Sequence, residues 1–506
     1  MRRSIRWLII ILCAVYICFV IDLFAQRKMD AGSYAHGCKL FTAAKYDKAL
    51  PQFTRAIKFS PNDADAYAYR GECYIHLGQW ECAHADFVKA IALDPKNDMA
   101  HTGLGSYYLT KGNVNSAVAE LTLVIALTPG DAEAYNTCGQ VLSDHGQYAL
   151  AIADYNHAID INPTFADAFN NRGVAYLIAG YTQYAIADLT EAISLKPDYA
   201  QAYYHRGNAY RNMGRQNWAI NDYSVAIALQ PNYADAYQNR GGIYYDMNNY
   251  ELALTDYNRV ITLTPNDATA YYHRGDALCA SGRRIDAIAD FTKAISLQPD
   301  NASAYASRGN AYRESDQPEL GIVDLTHAIS LSPNDAETYY IRGLAFCALA
   351  VDPFHKGRVQ QKLLIENAIE DFTKAIQLRP GYADAYSGRG TAYTDEYNYL
   401  GKAYTDADNH NFNLALADFH KALQLKPNSA EIYDGRGNAY VEYSHEKKML
   451  ILAKNDFTKA IALQPDFARA YYDRGWLCRG PSPLEDTGDS SNQDLAKAHA
   501  LQPQRY

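Results

Sequence analysis

Residues 198–231 read DYAQAYYHRGNAYRNMGRQNWAINDYSVAIALQP, and the architecture can be worked out from this stretch. Tyr203, Gly207 and Tyr210 fall on one helical stripe, Gly214 marks a turn, and Ala219, Tyr223, Ala226 and Ile227 form a second stripe before Pro231 closes the unit. The spacing predicts helix, turn, helix. Small residues (Gly207, Ala219, Ala226) stand where the two helices must approach closely, and large ones fill the space between them. Neither helix can bury its stripe alone, so copies of the unit must stack.

The copies are there. Prolines 61, 95, 129, 163, 197, 231, 265, 299 and 333 follow one another at intervals of 34 residues. Prolines 380, 427, 465 and 503 continue at 47, 47, 38 and 38, which is the same interval with insertions of 13, 13, 4 and 4. The insertions fall between the two helices of a unit, in 349–364, 395–412, 444–452 and 480–490, where helical extensions and loops both fit. The last helix is expected over Asn492–Leu501, with His499 in place of an aliphatic residue, as suits a terminal cap facing water.

Two charged columns run in the same register. Arg stands at 70, 172, 206, 240, 274, 308, 342, 389, 436 and 474. Asp precedes the closing prolines at 86, 154, 188, 222, 256, 290, 324, 371, 418, 456 and 494, with Glu120 in the remaining early unit. A guanidinium on the packed side of a helix needs a partner, so the columns are expected to pair as a ladder. The 43 tyrosines point to a periodic placement of that residue, with Tyr67, Tyr237 and Tyr305 read as core.

The composition excludes several functions. A net charge of -10 without a clustered basic stretch argues against a nucleic-acid partner. Nine irregularly spaced cysteines, without a C-x-x-C pair, indicate neither a disulfide framework nor a zinc site. The sequence has no H-E-x-x-H, G-x-S-x-G, P-loop or G-x-G-x-x-G motif, so no enzyme, cofactor or metal is expected. At the N-terminus, Arg2, Arg3 and Arg6 precede the apolar run Trp7–Ile21, which reaches Ala25 before Arg27 and Lys28. This reads as a membrane anchor through residues 7–25 with the repeats on the non-cytoplasmic side, or as a signal peptide cleaved near Ala25 with a secreted or periplasmic product.

The repeated residues resemble the tetratricopeptide repeat pattern W-x2-L-G-x2-Y…A-x3-F…P. Tyr203 stands at the Trp place, Arg206 at the Leu, Gly207 at the Gly and Tyr210 at the Tyr, followed by Ala219, Tyr223 and Pro231. The resemblance recurs about thirteen times between Asp30 and Pro503. It implies an all-α fold, an α-solenoid of helix-turn-helix repeats forming a right-handed superhelix, behind an N-terminal apolar helix. The organisation expected is residues 1–29 as signal or anchor, 30–333 as a regular array, and 334–503 as an array with insertions.

The resemblance also implies a non-catalytic scaffold whose first helices line a concave peptide-binding groove. Mapped onto this chain, the groove holds Asn171, Tyr204, Asn208, Arg211, Asn239, Tyr245, Asp246, Tyr272, Asp276, Asn310, Arg313, Tyr340 and Asn438. Further acids at such positions are Glu72, Asp144, Glu314, Asp395, Asp434 and Glu442. The expected partner is therefore a basic or polar, extended protein or peptide. Asn side chains would bond its backbone without reading its side chains. The family's carboxylate clamp is not matched, because Tyr204, Thr269 and His273 replace its cations beside Asn208 and Asn239. The competing expectation is a structural or self-associating spacer.

Overall fold

A computed structural model describes residues 32–351, 358–400, 406–443, 447–477 and 488–502. Among them all regular structure is helical, arranged as consecutive helix-turn-helix pairs. The chain divides into two compact units, Met1–Ala236 and Tyr237–Tyr506.

The unit quoted above forms the helices Ala200–Asn212 and Gln216–Leu229. Gly214 joins them at φ 68°, a left-handed conformation that costs glycine little. Gly207 lies against the ring of Tyr223, and a Cβ there would meet Tyr223 Cε1 at 2.7 Å. Tyr223 is fully buried, as are Phe53, Phe87 and Tyr155 at the same register in the first unit and Phe291, Phe372, Phe419 and Phe457 in the second. This position, aromatic in most repeats and leucine in others such as 121, 189 and 325, packs against the glycine of its own first helix.

Within the first unit, the first helices Ala64–His76, Asp98–Thr110, Ala132–Asp144, Ala166–Ile178 and Ala200–Asn212 touch their successors as well as their own second helices. They thus form a layer of their own. The first helices of the second unit do the same from Ala268–Ala280 through Ala302–Glu314, Ala336–Val351, Ala383–Leu400 and Ala430–Tyr443 to Ala468–Leu477.

The charged columns pair as expected. Each of the ten arginines donates from Nε and Nη2 to both oxygens of the Asp on its own second helix, at 2.6–2.9 Å. The third nitrogen commonly reaches back to the second helix of the preceding repeat, as Arg206 Nη1 does to Thr190 Oγ1 at 3.2 Å and Arg274 Nη1 to Asn258 Oδ1 at 2.6 Å. One guanidinium thus fastens two repeats. An aromatic ring three residues before it, and in most repeats another four after, covers its faces: Arg206 lies 5.5 Å from the Tyr203 ring and 5.9 Å from Tyr210. Tyr67, Tyr237 and Tyr305, expected as core, are half-buried: each covers a ladder arginine, and Tyr67 and Tyr305 also pack against core clusters.

Three repeats lack the arginine, the first of them holding His36 at its place. Where Leu104 replaces it, His101 Nδ1 meets Glu120 Oε2 at 2.7 Å from one turn earlier on the helix. Where Cys138 replaces it, Asp154 receives no guanidinium, and burial pushes its carboxyl up to about 6.

The long insertions extend the helices that border them. The regular lengths of 13 and 14 residues become 16 and 21 in Ala336–Val351 and Arg358–Leu378, and 18 and 20 in Ala383–Leu400 and Asp406–Leu425. The last helix begins at Gly488, ahead of the expected Asn492, with Ser491 Oγ turned inward to donate to Gly475 O at 2.7 Å.

The expected membrane placement is corrected. Among the described residues no helix is long and apolar enough to cross a membrane. Even Arg358–Leu378, at 21 residues, carries Lys362, Glu366, Glu370, Asp371 and Lys374. The apolar run 7–21 and the whole of 7–25 lie outside the described residues, so neither an anchor nor a cleavage site has structural support.

Candidate functional site

An arginine of the ladder faces its second helix. Residues two positions away lie roughly 200° around a helix of 3.6 residues per turn and so face the other way, onto the layer of first helices. Most of the sequence-mapped positions stand on that layer. Asn171, Tyr204, Asn208, Asn239, Tyr245, Tyr272, Asp276, Asn310, Arg313, Tyr340 and Asn438 are half-buried, and Arg211 and Asp246 are exposed.

In the first unit, Asn171 Nδ2 donates to Asn136 Oδ1 one repeat back at 3.1 Å, and Asn170 Nδ2 donates to Asn171 Oδ1 at 3.1 Å. Tyr204 packs on Tyr223 and Tyr233, while Asn208 Oδ1 accepts from the Tyr223 hydroxyl at 2.7 Å. His205 stands beside Tyr204, and its burial pushes the imidazole down to about 4, so it is neutral at pH 7.

In the second unit, burial pushes Asp276 up to about 6, although Tyr272 and Ser307 hydrogen-bond to its charged form. Asn310 Oδ1 accepts from Arg313 at 2.8 Å, and Arg313 also pairs with Glu314 at 3.0 Å. Asn310 and Arg313 are thus engaged with each other.

Tyr340 and Asn438 line a common cavity of about 800 Å³ in the second unit. Its walls include Leu344, Phe372 and Phe467, and its acids are Asp384, Asp395, Glu431, Asp434 and Glu442, set against Lys426 and Arg469. Lys426 is held by Asp384 at 3.1 Å. Burial pushes Asp395 up to about 6 and Asp434 up to about 7, the latter with help from Asp473.

Three buried side-chain atoms have no hydrogen-bond partner among the described residues: Asn170 Oδ1, Gln238 Oε1 and Asp434 Oδ1. All three residues stand two positions before a ladder arginine, at Arg172, Arg240 and Arg436, and so share one column with Tyr204, Tyr272 and Tyr340. Asn170 and Gln238 were missed in the sequence because nothing in a helical stripe distinguishes a satisfied amide from an unsatisfied one. Their register with Tyr204 was the available signal.

Nucleophilic or metal chemistry has no support here. Burial pushes the Cys73 and Cys138 thiols up to about 12, far from thiolate at neutral pH. No group of His, Cys, Asp and Glu among the described residues converges as a metal requires.

The sequence model described as a TPR repeat matches residues 139–180, 182–214, 207–247, 241–282 and 275–316. Two models described as a tetratricopeptide repeat match residues 64–97 and 302–335. No curated protein sequence matches. Among solved structures, MamA is similar at 29% identity over 32% of this chain and 96% of its own, with a TM-score of 0.31. YrrB, described as a TPR protein with an unusual peptide-binding site, is similar at 23% identity over 36% of this chain and 95% of its own, with a TM-score of 0.32. The APC/C hetero-tetramer Cut9-Hcn1 is similar at 12% identity over 94% of both chains, with a TM-score of 0.46.

Proposed function

As this chain belongs to the tetratricopeptide repeat proteins, we propose that it is a non-catalytic scaffold binding an extended, basic or polar polypeptide along its layers of first helices. The observation that carries this reading is the column of buried acceptors, Asn170 Oδ1, Gln238 Oε1 and Asp434 Oδ1. Leaving such an atom unsatisfied costs about 1–3 kcal/mol, so each calls for a donor. A polypeptide running across the first helices brings a backbone N–H every residue. Acids along the same layer, Asp276 and Asp395 among them, favour a basic guest.

The residues expected to meet it are Asn171, Tyr204, Asn208, Arg211 and Asn239, then Tyr245, Asp246, Tyr272, Asp276, Asn310, Arg313, Tyr340 and Asn438. The test is a random peptide library selected on the full-length protein. A photo-crosslinking amino acid at 204 or 340 is compared with one at Tyr184 or Ile285, which stand on second helices at 64% and 80% exposure. Labelling of selected peptides from 204 and 340 alone is the expected result. Labelling from the second helices instead, or oligomers in place of peptide binding, would favour the self-assembling spacer.

A further inference from the structure

We infer that the cavity around Asp434 is a subsite for one cationic side chain, Arg or Lys, of the bound polypeptide, and that Arg469 occupies it as a displaceable stand-in. The inference rests on the polypeptide-binding reading and adds to it a position at which side-chain chemistry is read.

Asp434 lies on the cavity wall with only 2% of its surface exposed. Its Oδ2 accepts from Asn438 Nδ2 at 3.3 Å and faces Arg469 Nε at 3.2 Å, while Oδ1 has no partner. A buried carboxylate with half its acceptors unused is a costly arrangement, and burial pushes Asp434 up to about 7. Asp473 stands next to it, sharing Asn438 Nδ2 at 3.0 Å and Arg469 Nε at 3.5 Å. Asp395 and Glu442 face the same space.

The ladder shows what a committed arginine looks like in this protein. There the guanidinium takes both carboxylate oxygens from two nitrogens, as Arg436 does with Asp456 at 2.8 Å twice. Arg469 is held less closely. Its nearest approaches to Asp434 and Asp473 are from Nε at 3.2 and 3.5 Å, longer than any contact between a ladder arginine and its aspartate, and its side chain is 55% exposed. An ion pair of this length and exposure is weakly held and readily exchanged. Tyr340 and Phe467 supply apolar walls for the aliphatic stem of a guest arginine or lysine, whose head would take the place of Arg469 beside Asp434.

The test uses the full-length protein and peptides selected on it from a random library, each remade with its Arg replaced by citrulline or its Lys by acetyl-lysine. Peptides that crosslink from position 340 should lose affinity by at least about tenfold on neutralisation, the low end for a hydrogen bond to a charged group. D434N should erase that difference, and R469Q should raise the affinity of the cationic peptides several-fold, a gain no merely structural role predicts. Should D434N fail to fold, R469Q decides alone, and unchanged or weaker binding overturns the stand-in. Peptides that crosslink from 340 and keep their affinity when neutralised overturn the subsite while the polypeptide-binding reading stands. Failure to recover any peptide removes that reading, and the subsite with it.

Discussion

Cys138→Arg should stabilise the protein, because the first unit already holds the carboxylate, the hydroxyl and one of the two rings that a ladder arginine uses there, with Leu142 at the place of the second ring. Asp154 stands 16 residues on, as Asp222 does from Arg206. Thr122 stands 16 residues back, as Thr190 does, and Tyr135 three residues back, as Tyr203 does. The residue displaced is a buried thiol whose one polar contact is a 3.8 Å approach to Leu121 O. Burial holds Asp154 at about 6, and a guanidinium should bring it back to the ordinary range. That is about two pKa units, or about 3 kcal/mol before discount. Asp154 is only half-buried, and the arginine must shed water, so the net gain is about 1–2 kcal/mol. The sign with pH follows from linkage. A raised carboxyl contributes stability that is whole below its unfolded value and lost as pH rises through about 6, so Asp154 weakens the native protein at neutral pH. The arginine should cancel that loss, giving a gain that is largest at pH 7 and fades toward about pH 4. Urea midpoints of C138R, D154N and the double variant form the cycle, and hydrogen exchange in Ala132–Asp144 localises the effect. No gain at pH 7, or the same gain at both pH values, would refute the reasoning.

Asp222→Ala should cost about 3–5 kcal/mol, because it leaves the Arg206 guanidinium half-buried without its carboxylate; urea denaturation reads it. Gly207→Ala drives a Cβ to 2.7 Å from the Tyr223 ring and should cost about 1–3 kcal/mol in urea denaturation, a loss that Tyr223→Leu should not relieve, since a Cβ at Gly173 would meet Leu189 Cγ at 2.8 Å. Asp434→Asn should raise the melting temperature at about pH 8 and leave it unchanged at about pH 4, because burial raises Asp434 to about 7 and its contribution to stability is lost as pH rises through that value. An equal shift at both pH values would place its cost in packing rather than charge.

Spacing alone carried the fold. The prolines, the small residues at Gly207, Ala219 and Ala226, and the paired Arg and Asp columns are features of register, and register is what a solenoid repeats. What the sequence left unread depended on neighbours that spacing does not report. Tyr237 and Tyr305 look apolar in a stripe, yet each lies across an arginine; Cys138 looks like any small core residue until Asp154 is found without a cation. The site was legible as a face, since Tyr204, Tyr272 and Tyr340 recur on it. Which of its atoms lacked partners was not, because satisfaction is decided one hydrogen bond at a time, as the chain of Asn170, Asn171 and Asn136 shows.

On the proposed binding reading, the same register would also separate stability from recognition. The ladder arginine and the residue two places before it sit on opposite sides of one helix, so the first can stay fixed while the second varies. From Arg172 to Arg436 the second position holds Asn170, Tyr204, Gln238, Tyr272, Ala306, Tyr340, Ser387 and Asp434, a spread of size, polarity and charge. Their neighbours two residues on, from Arg172 to Arg436, are all arginine, each bound to its own aspartate. Because one guanidinium secures its repeat to the one before, changes in the second column are buffered against loss of stacking. Exchanging that column between two repeats, for instance Gln238 for Asp434, should therefore move a peptide preference along the layer and leave the urea midpoint nearly unchanged. A midpoint that follows the exchanged residues would show that the inner column also carries the fold.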